Sequence, residues 1–382
     1  MIYLDNAATS WPKPEIVYQT MDEFARTKAG NPGRASHSLS VAARDTIEET
    51  RKLVARLINA REPARVIFTP NCTDALNMGL KGLLKPGDHV ITSRLEHNSV
   101  VRPLRKLEQQ GVKVERLAPL PETGAVSPRG IESAITTRTR LVVMTHASNV
   151  SGTIQPIAEY GEVVRRHKLI FMVDAAQTAG KVPIDVPAGN IDLLAFSGHK
   201  GLMGPSGTGV LYIGERVDLD TVREGGTGSH SEEEEQPAEM PYRYECGTPN
   251  HIGLSGLGAG LKFIFKTGPD KIRAHEYEIT ASLIRGLKEI AEVTLYHARE
   301  GFDQAPVFAF NLKGYQPGEV GAILDQAFDI KVRTGLHCAP VAHRTLGSYP
   351  LGSIRLSPGY FNTWEEAGET IRAVAQIARA KP

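Results

Sequence analysis

The stretch LIFMVDAAQ, Leu169 to Gln177, sets the reading of the fold. Five apolar residues in a row, Leu169–Val173, have the length and composition of a strand buried on both faces, and a carboxylate follows at once. Comparable runs lie at Arg65–Thr69, His89–Thr92, Leu141–Thr145 and Asp192–Phe196. Helical spacing of apolar residues fills Ser38–Ala60, where a serine cap is expected, and Thr73–Leu84, Ser99–Gln110 and Ile157–His167. Strands alternating with helices predict an α/β fold whose mostly parallel sheet is covered on both faces. In such sheets ligands bind beyond the carboxyl ends of the strands. Polar residues cluster at just those exits: Asn71–Thr73, Glu96–Asn98, His146–Asn149, Asp174–Gln177 and Ser197–Lys200.

The texture changes after Ile252. Helical patterns at Ile252–Phe265 and Pro269–Ile290 lead into strand-like runs at Val307–Leu312 and Ser353–Leu356, then a final helix over Thr363–Ala380. The expected division is a large domain over residues 15–255 and a smaller α+β domain over 256–382, with residues 1–14 packing nearby. Gly225–Pro241 is glycine-rich, then acidic through Glu232–Glu235, and reads as a solvated loop. The chain has 382 residues, with 44 Lys plus Arg against 43 Asp plus Glu, so no basic field points to nucleic acid or to an anionic membrane. The opening MIYLDNAATSWPKPE has neither signal nor transit character, and no apolar run approaches the ~18 residues of a membrane span. Three scattered cysteines, Cys72, Cys246 and Cys338, suggest a reducing compartment, and a cytoplasmic protein is expected. Their odd number leaves room for a reactive thiol.

Asp174 and Lys200 carry the first chemical signal. A carboxylate at the end of an apolar strand either caps a neighbouring loop or pairs with a cation. Lys200, behind Ser-Gly-His and before a glycine-rich loop, is either an ordinary loop lysine or a shielded amine able to form an imine with a carbonyl. Together they match what pyridoxal phosphate (PLP) requires: an acid for the pyridine nitrogen and an amine for the aldehyde. A helix opening at Asn71–Asp74 offers free N–H groups to a phosphate, with Thr73 adding a hydroxyl; the alternative is that Thr73 or Asp74 simply caps the helix. Ser197 and His199 are further donors, and His97 is placed to stack on a flat ring. Cys338, between Gly335 and Pro340, sits in an irregular loop near Arg333 and His337, whose charge favours a thiolate; the alternative is a small apolar residue under the loop. Arg355, inside a strand-like run, needs a partner, either a substrate carboxylate or a structural salt bridge.

The ordered series YLDNAATSWPKP, ASHSLS (35–40), EHNS (96–99), SNVSG (148–152), VDAAQ, SGHK, ECGTPN (245–250), RTGLHCAP (333–340) and SIRLSPGYFNT (353–363) resembles the class V aminotransferase family of fold-type I PLP enzymes nearly end to end. Within it the chain is similar to the cysteine desulfurases, in the group II form with selenocysteine lyase-like members. That resemblance implies PLP on Lys200, with Asp174 on the ring nitrogen, Gln177 on the phenolic oxygen and His97 stacked. Cys72, Thr73, Ser197 and His199 surround the phosphate, and Thr227 of a partner subunit in a homodimer completes it. It further implies Asn149 and Arg355 on the amino-acid substrate, with Asn31 and His37 bordering the pocket. The implied reaction converts L-cysteine to L-alanine and leaves a persulfide on Cys338 for an acceptor protein. The alternatives are a selenocysteine lyase, a transaminase or epimerase with Cys338 as bystander, and, least, a non-enzymatic sulfur-transfer scaffold. Two departures stand out: position 72 is cysteine where relatives commonly have threonine or another small polar residue, and Glu232–Glu235 has no catalytic counterpart.

Overall fold

The computed structural model describes residues 1–33, 37–229 and 232–380. The chain opens with β1 (Ile2–Tyr3), α1 (Glu15–Thr27) and α2 (Ser38–Leu57). Alternation then begins: β2 (Val66–Thr69), α3 (Cys72–Leu83), β3 (His89–Ser93), α4 (Asn98–Glu108), β4 (Lys113–Leu117) and α5 (Pro128–Ala134). It continues through β5 (Thr139–Thr145), α6 (Ile157–Arg166), β6 (Ile170–Asp174), β7 (Leu193–Ser197) and β8 (Gly209–Ile213). After a long connection come α7 (His251–Thr267), α8 (Pro269–Lys288), β9 (Val293–Tyr296), β10 (Phe308–Leu312) and α9 (Pro317–Phe328). Short β11 (Ile330–Lys331) and β12 (Arg333–Gly335) precede α10 (Pro340–Leu346), β13 (Ser353–Leu356) and α11 (Trp364–Arg379).

The seven-stranded sheet has the order β2-β8-β7-β6-β5-β3-β4. Only β8 runs against its neighbours, β2 and β7, so the other six strands point the same way. Period-two alternation feeds two separate cores. Phe171 and Val173 join Val54, Ile58, Val164 and Leu257 of α2, α6 and α7 on one face. Ile170 and Met172 join Leu76, Leu80, Val100 and Leu104 of α3 and α4 on the other. This is the α/β architecture expected, with a smaller C-terminal unit: the four-stranded sheet β12-β13-β10-β9, whose Phe308, Phe310 and Ile354 pack on Leu283 of α8 and Val374 of α11. Ile2 and Leu4 belong to that second core, and β1 pairs in parallel with β11. Among the described residues no helix is long and apolar enough to cross a membrane.

Two expected caps are corrected. Helix α2 is capped not by serine but by His37, whose Nδ1 accepts the Ser40 N–H at 3.3 Å. Helix α3 is capped by neither Thr73 nor Asp74 but by Asn71, whose Oδ1 accepts the Asp74 N–H at 2.9 Å. In each case an acceptor one turn earlier satisfies a free N–H of the first turn.

Candidate active site

The carboxyl ends of β2, β3, β5, β6 and β7 share one edge of the sheet, and their exit loops wall a cavity of about 210 Å³. Arg333 and Arg355 of the second sheet, with His337 and Cys338 of the turn after β12, complete its lining. Thus Cys72, Thr73, His97, Asn149, Asp174, Gln177, Ser197, His199, Lys200, Cys338 and Arg355 all line a single space.

Lys200 follows β7 through Gly198, which has no room for a side chain: a Cβ there would run into the Thr208 hydroxyl. The His199 carbonyl is held by the Ser10 N–H at 3.0 Å and the Thr9 hydroxyl at 3.1 Å, which ties the N-terminal segment to this turn. Burial lowers the Lys200 pKa, and Cys72 and Asp174 oppose the shift. Burial raises the Asp174 pKa, while the Ala176 N–H, Lys200 and the Cys72 thiol hold it down. Gln177 donates from Nε2 to the Ala7 carbonyl at 3.1 Å. Ser197 Oγ accepts the Cys72 N–H at 3.2 Å, so that first-turn N–H already has a partner.

His97 begins α4. Ser99 presents both its N–H, at 3.0 Å, and its hydroxyl, at 2.8 Å, to His97 Nδ1, and the Thr73 hydroxyl reaches Ser99 Oγ at 2.8 Å. Because Nδ1 accepts a backbone N–H, the proton of the neutral ring rests on Nε2. Burial, then Lys200, pushes the His97 pKa down to about 4, so the ring is neutral near pH 7. Behind it Glu96 is fully buried, accepting from Ser93 Oγ at 2.6 Å and Thr145 N–H at 2.9 Å, and burial raises its pKa to about 8.

Cys338 is exposed, in the turn between β12 and α10. His337 and Cys338 both have left-handed backbone, with φ of 47° and 56°. Two hydrogen bonds hold them there: Asn149 Nδ2 to the His337 carbonyl at 2.8 Å, and the Asn98 N–H to the Cys338 carbonyl at 2.8 Å. Arg333 Nη2 lies 3.7 Å from Cys338 Sγ. His337, expected to help charge the thiol, does not: its ring is buried against Ser353 Oγ at 3.1 Å, and burial drives its pKa down to about 2. A neutral imidazole turned inward leaves Arg333 as the adjacent cation. Arg355 has the structural salt bridge that sequence reasoning left open, Nη2 to Asp5 at 2.7 Å, and Nη1 donates to the Asn149 carbonyl at 3.3 Å. Its buried Nε has no partner, and neither has Asn149 Oδ1.

Asn31 and His37, expected to border the pocket, do not line this cavity. Asn31 lines a separate one of about 530 Å³, together with Thr227, whose expected place is the site of a partner subunit, and exposed His37 caps α2. Ala35 and Ser36 of the ASHSLS motif lie outside the described residues. Glu232–Glu235 are exposed and do not line the Lys200 cavity. Conversely, Ser99 and Ala7 line the cavity and Asp5 pairs with Arg355 behind it, and all three were missed. Ser99 stands inside the EHNS motif and was legible; Asp5 and Ala7 were not, since only the tertiary fold brings residues 1–8 to the sheet edge.

The sequence profile of the family described as aminotransferase class-V matches residues 2–369. The chain belongs to the aminotransferase class-V family. Among curated relatives, a Pyrococcus abyssi protein named "probable cysteine desulfurase" is 38% identical over 393 residues, covering 100% of this chain and 95% of the relative. One of the same name from Methanothermobacter thermautotrophicus is 36% identical over 383 residues, with 98% and 94% covered. Among solved structures, the apo cysteine desulfurase from Thermococcus onnurineus NA1 superposes with a TM-score of 0.92 at 36% identity, covering 99% of this chain and 95% of that one. Class V membership implies PLP, and the donor set fits that group. An amine, a buried carboxylate and a neutral imidazole share one cavity with two hydroxyls, Thr73 and Ser197, and the buried His199 Nδ1 has no protein partner. An orphaned buried nitrogen is costly unless a ligand satisfies it.

Proposed function

We propose that the chain is a PLP-dependent cysteine desulfurase that converts L-cysteine to L-alanine and carries the released sulfur on Cys338. The supporting observation is that Lys200, with its amine shifted toward neutrality, and Cys338 line the same cavity, together with Asp174 and Arg355. PLP, when bound, supplies an electrophilic aldehyde and a ring that draws electrons from the substrate α-carbon. Lys200 Nζ would hold the aldehyde, and its amine, shifted toward neutrality, is a base able to accept the substrate α-proton. Asp174 would face the ring nitrogen and favour its protonated form. Gln177 would reach the phenolic oxygen, the neutral His97 ring would stack, and Thr73, Ser197 and His199 would hold the phosphate.

Arg355 binds the substrate carboxylate through its unpartnered Nε, aided by Asn149 Oδ1 toward the amine. Arg333, beside Sγ, favours the thiolate of Cys338. The thiolate attacks the substrate sulfur: an S–S bond forms, the C–S bond breaks and its electron pair stays with carbon, which takes up a proton to give alanine. The Cys338 persulfide then passes its outer sulfur to a reductant or to an acceptor protein. A second copy of the chain brings Thr227 to the phosphate end. The test is the absorption spectrum of the protein reconstituted with PLP, before and after L-cysteine, with alanine and sulfide quantified. A visible band that changes on adding cysteine, with equal yields of alanine and reducible sulfur, is expected. A protein that stays colourless refutes the reading, and faster turnover of selenocysteine that survives Cys338→Ala makes it a selenocysteine lyase.

A further inference from the structure

Cys72 is the first residue of α3 and 6% exposed. Its Sγ donates to Asp174 Oδ1 at 3.6 Å, and the Ala176 N–H donates to the same oxygen at 2.9 Å. Among the described residues no protein group donates to Oδ2, although Asp174 lines the cavity. The carboxylate is therefore gripped by one oxygen and offers the other. Burial, then Asp174, raises the Cys72 thiol pKa well above its ordinary value, so the thiol keeps the hydrogen it donates.

We infer that Cys72 is a positioning residue: its thiol and the Ala176 amide pin Asp174 Oδ1, aim Oδ2 at the cofactor's ring nitrogen and weaken the carboxylate as a base, so that the proton stays on the ring. The inference rests on PLP binding as proposed above. It gives a side-chain role to a position where a phosphate contact had been expected. The thiol is a weak donor, weaker than a hydroxyl, so the effect is a fine adjustment of Asp174. Lys200 and Glu96 are the other titratable groups in electrostatic reach of Asp174, and the variants below leave both in place.

The experiment uses the PLP-loaded protein and reads the visible absorption band against pH, without substrate. Cys72→Ala removes the donor; Asp174 then carries more negative charge and competes for the ring proton. Both changes favour protonation of the imine nitrogen, so the band's midpoint moves up, by up to about half a pH unit for a donor at the weak end of the neutral hydrogen-bond range. Cys72→Ser keeps a donor of nearly the same size and titrates with the wild type or below it. Cys72→Val, apolar but closer in volume, shifts as alanine does and carries the contrast if the alanine protein does not fold. An alanine or valine protein that titrates with the wild type overturns the inference, and so does a serine protein that shifts as far as alanine, because volume rather than donation is then at work. A wild type that takes up no PLP refutes the functional reading and this inference together; a coloured wild type with an unmoved alanine variant refutes the inference alone.

Discussion

The amine and the thiol that share the cavity live in opposite surroundings. Lys200 leaves the central sheet between buried strands, and burial shapes its acidity. Cys338 rides an exposed turn of the smaller sheet, and its neighbourhood is set by backbone geometry: two consecutive left-handed residues, each carbonyl caught by a donor from the large unit. A left-handed non-glycine residue is strained, on the order of 1 kcal/mol or more, and persists only where its surroundings hold it. The amine is tuned by what surrounds it, the thiol by where it is held.

The largest expected effects separate the two sides. Lys200→Ala should lower turnover of L-cysteine by roughly 10²–10⁴ or more and remove the visible band, because the proposed reaction loses both its imine and its base. Cys338→Ala should cut sulfide release comparably while the visible band stays as in the wild type. A Cys338→Ala spectrum that differs from wild type would show that the two sides are coupled before substrate arrives.

Next in size is the pH dependence of stability around the amine side. Glu96 has a pKa of about 8 in the folded chain against 4.5 when free, so its contribution to stability is complete below about pH 4.5 and is lost as pH rises through 8. The full loss is on the order of 5 kcal/mol. Between pH 5 and 8 Glu96→Gln should therefore lose less unfolding free energy, by roughly 3–4 kcal/mol, as read from denaturant curves. Buried histidines act in the other direction. His97, His199 and His343 fall to about 4 and His146 to about 3, from 6.5, so their support is present above about pH 6.5 and fades as pH falls toward 4. Denaturation curves at pH 4.5, 6.5 and 8 in both proteins resolve the two trends.

Asp5→Ala leaves Arg355, 1% exposed, without its counter-charge. Thermal or denaturant unfolding should show a loss of about 3 kcal/mol, the lower end for a broken buried pair because Asp5 is partly exposed. The smallest effect concerns the thiol turn. Asn149→Ala removes the bond to the His337 carbonyl and should cost about 1 kcal/mol. Hydrogen exchange should quicken at residues 336–339 while Lys200 and its neighbours stay protected; equal quickening on both sides would erase the contrast drawn above.

Legibility in the sequence followed the same divide. β5, β6 and β7 were readable because strands buried on both faces are continuous apolar runs, and the polar residues at their ends became the cavity wall. β4 escaped notice because KVERL sits at the sheet edge and is half exposed, so no apolar run marks it. β8 was hidden by the glycine-rich loop that leads into it. On the thiol side the residues were legible and their states were not. Nothing in RTGLHCAP says that His337 turns inward and loses its charge, or that Arg355 finds its partner near the other end of the chain. Those outcomes depend on packing between segments far apart in sequence.

That last separation has a consequence for biosynthesis. Asn6 donates to the Ser357 carbonyl at 3.0 Å across 351 positions of sequence, and Asp5, Ala7 and Thr9 bind Arg355, Gln177 and His199. Ala7 and Thr9 can meet their partners once β7 and its exit loop are made, whereas Asp5 and Asn6 wait for β13 and the residue that follows it. The central sheet can assemble during translation, whereas the wall that joins amine to thiol closes only after synthesis has passed β13, so no nascent chain that stops short of β13 holds a finished pocket.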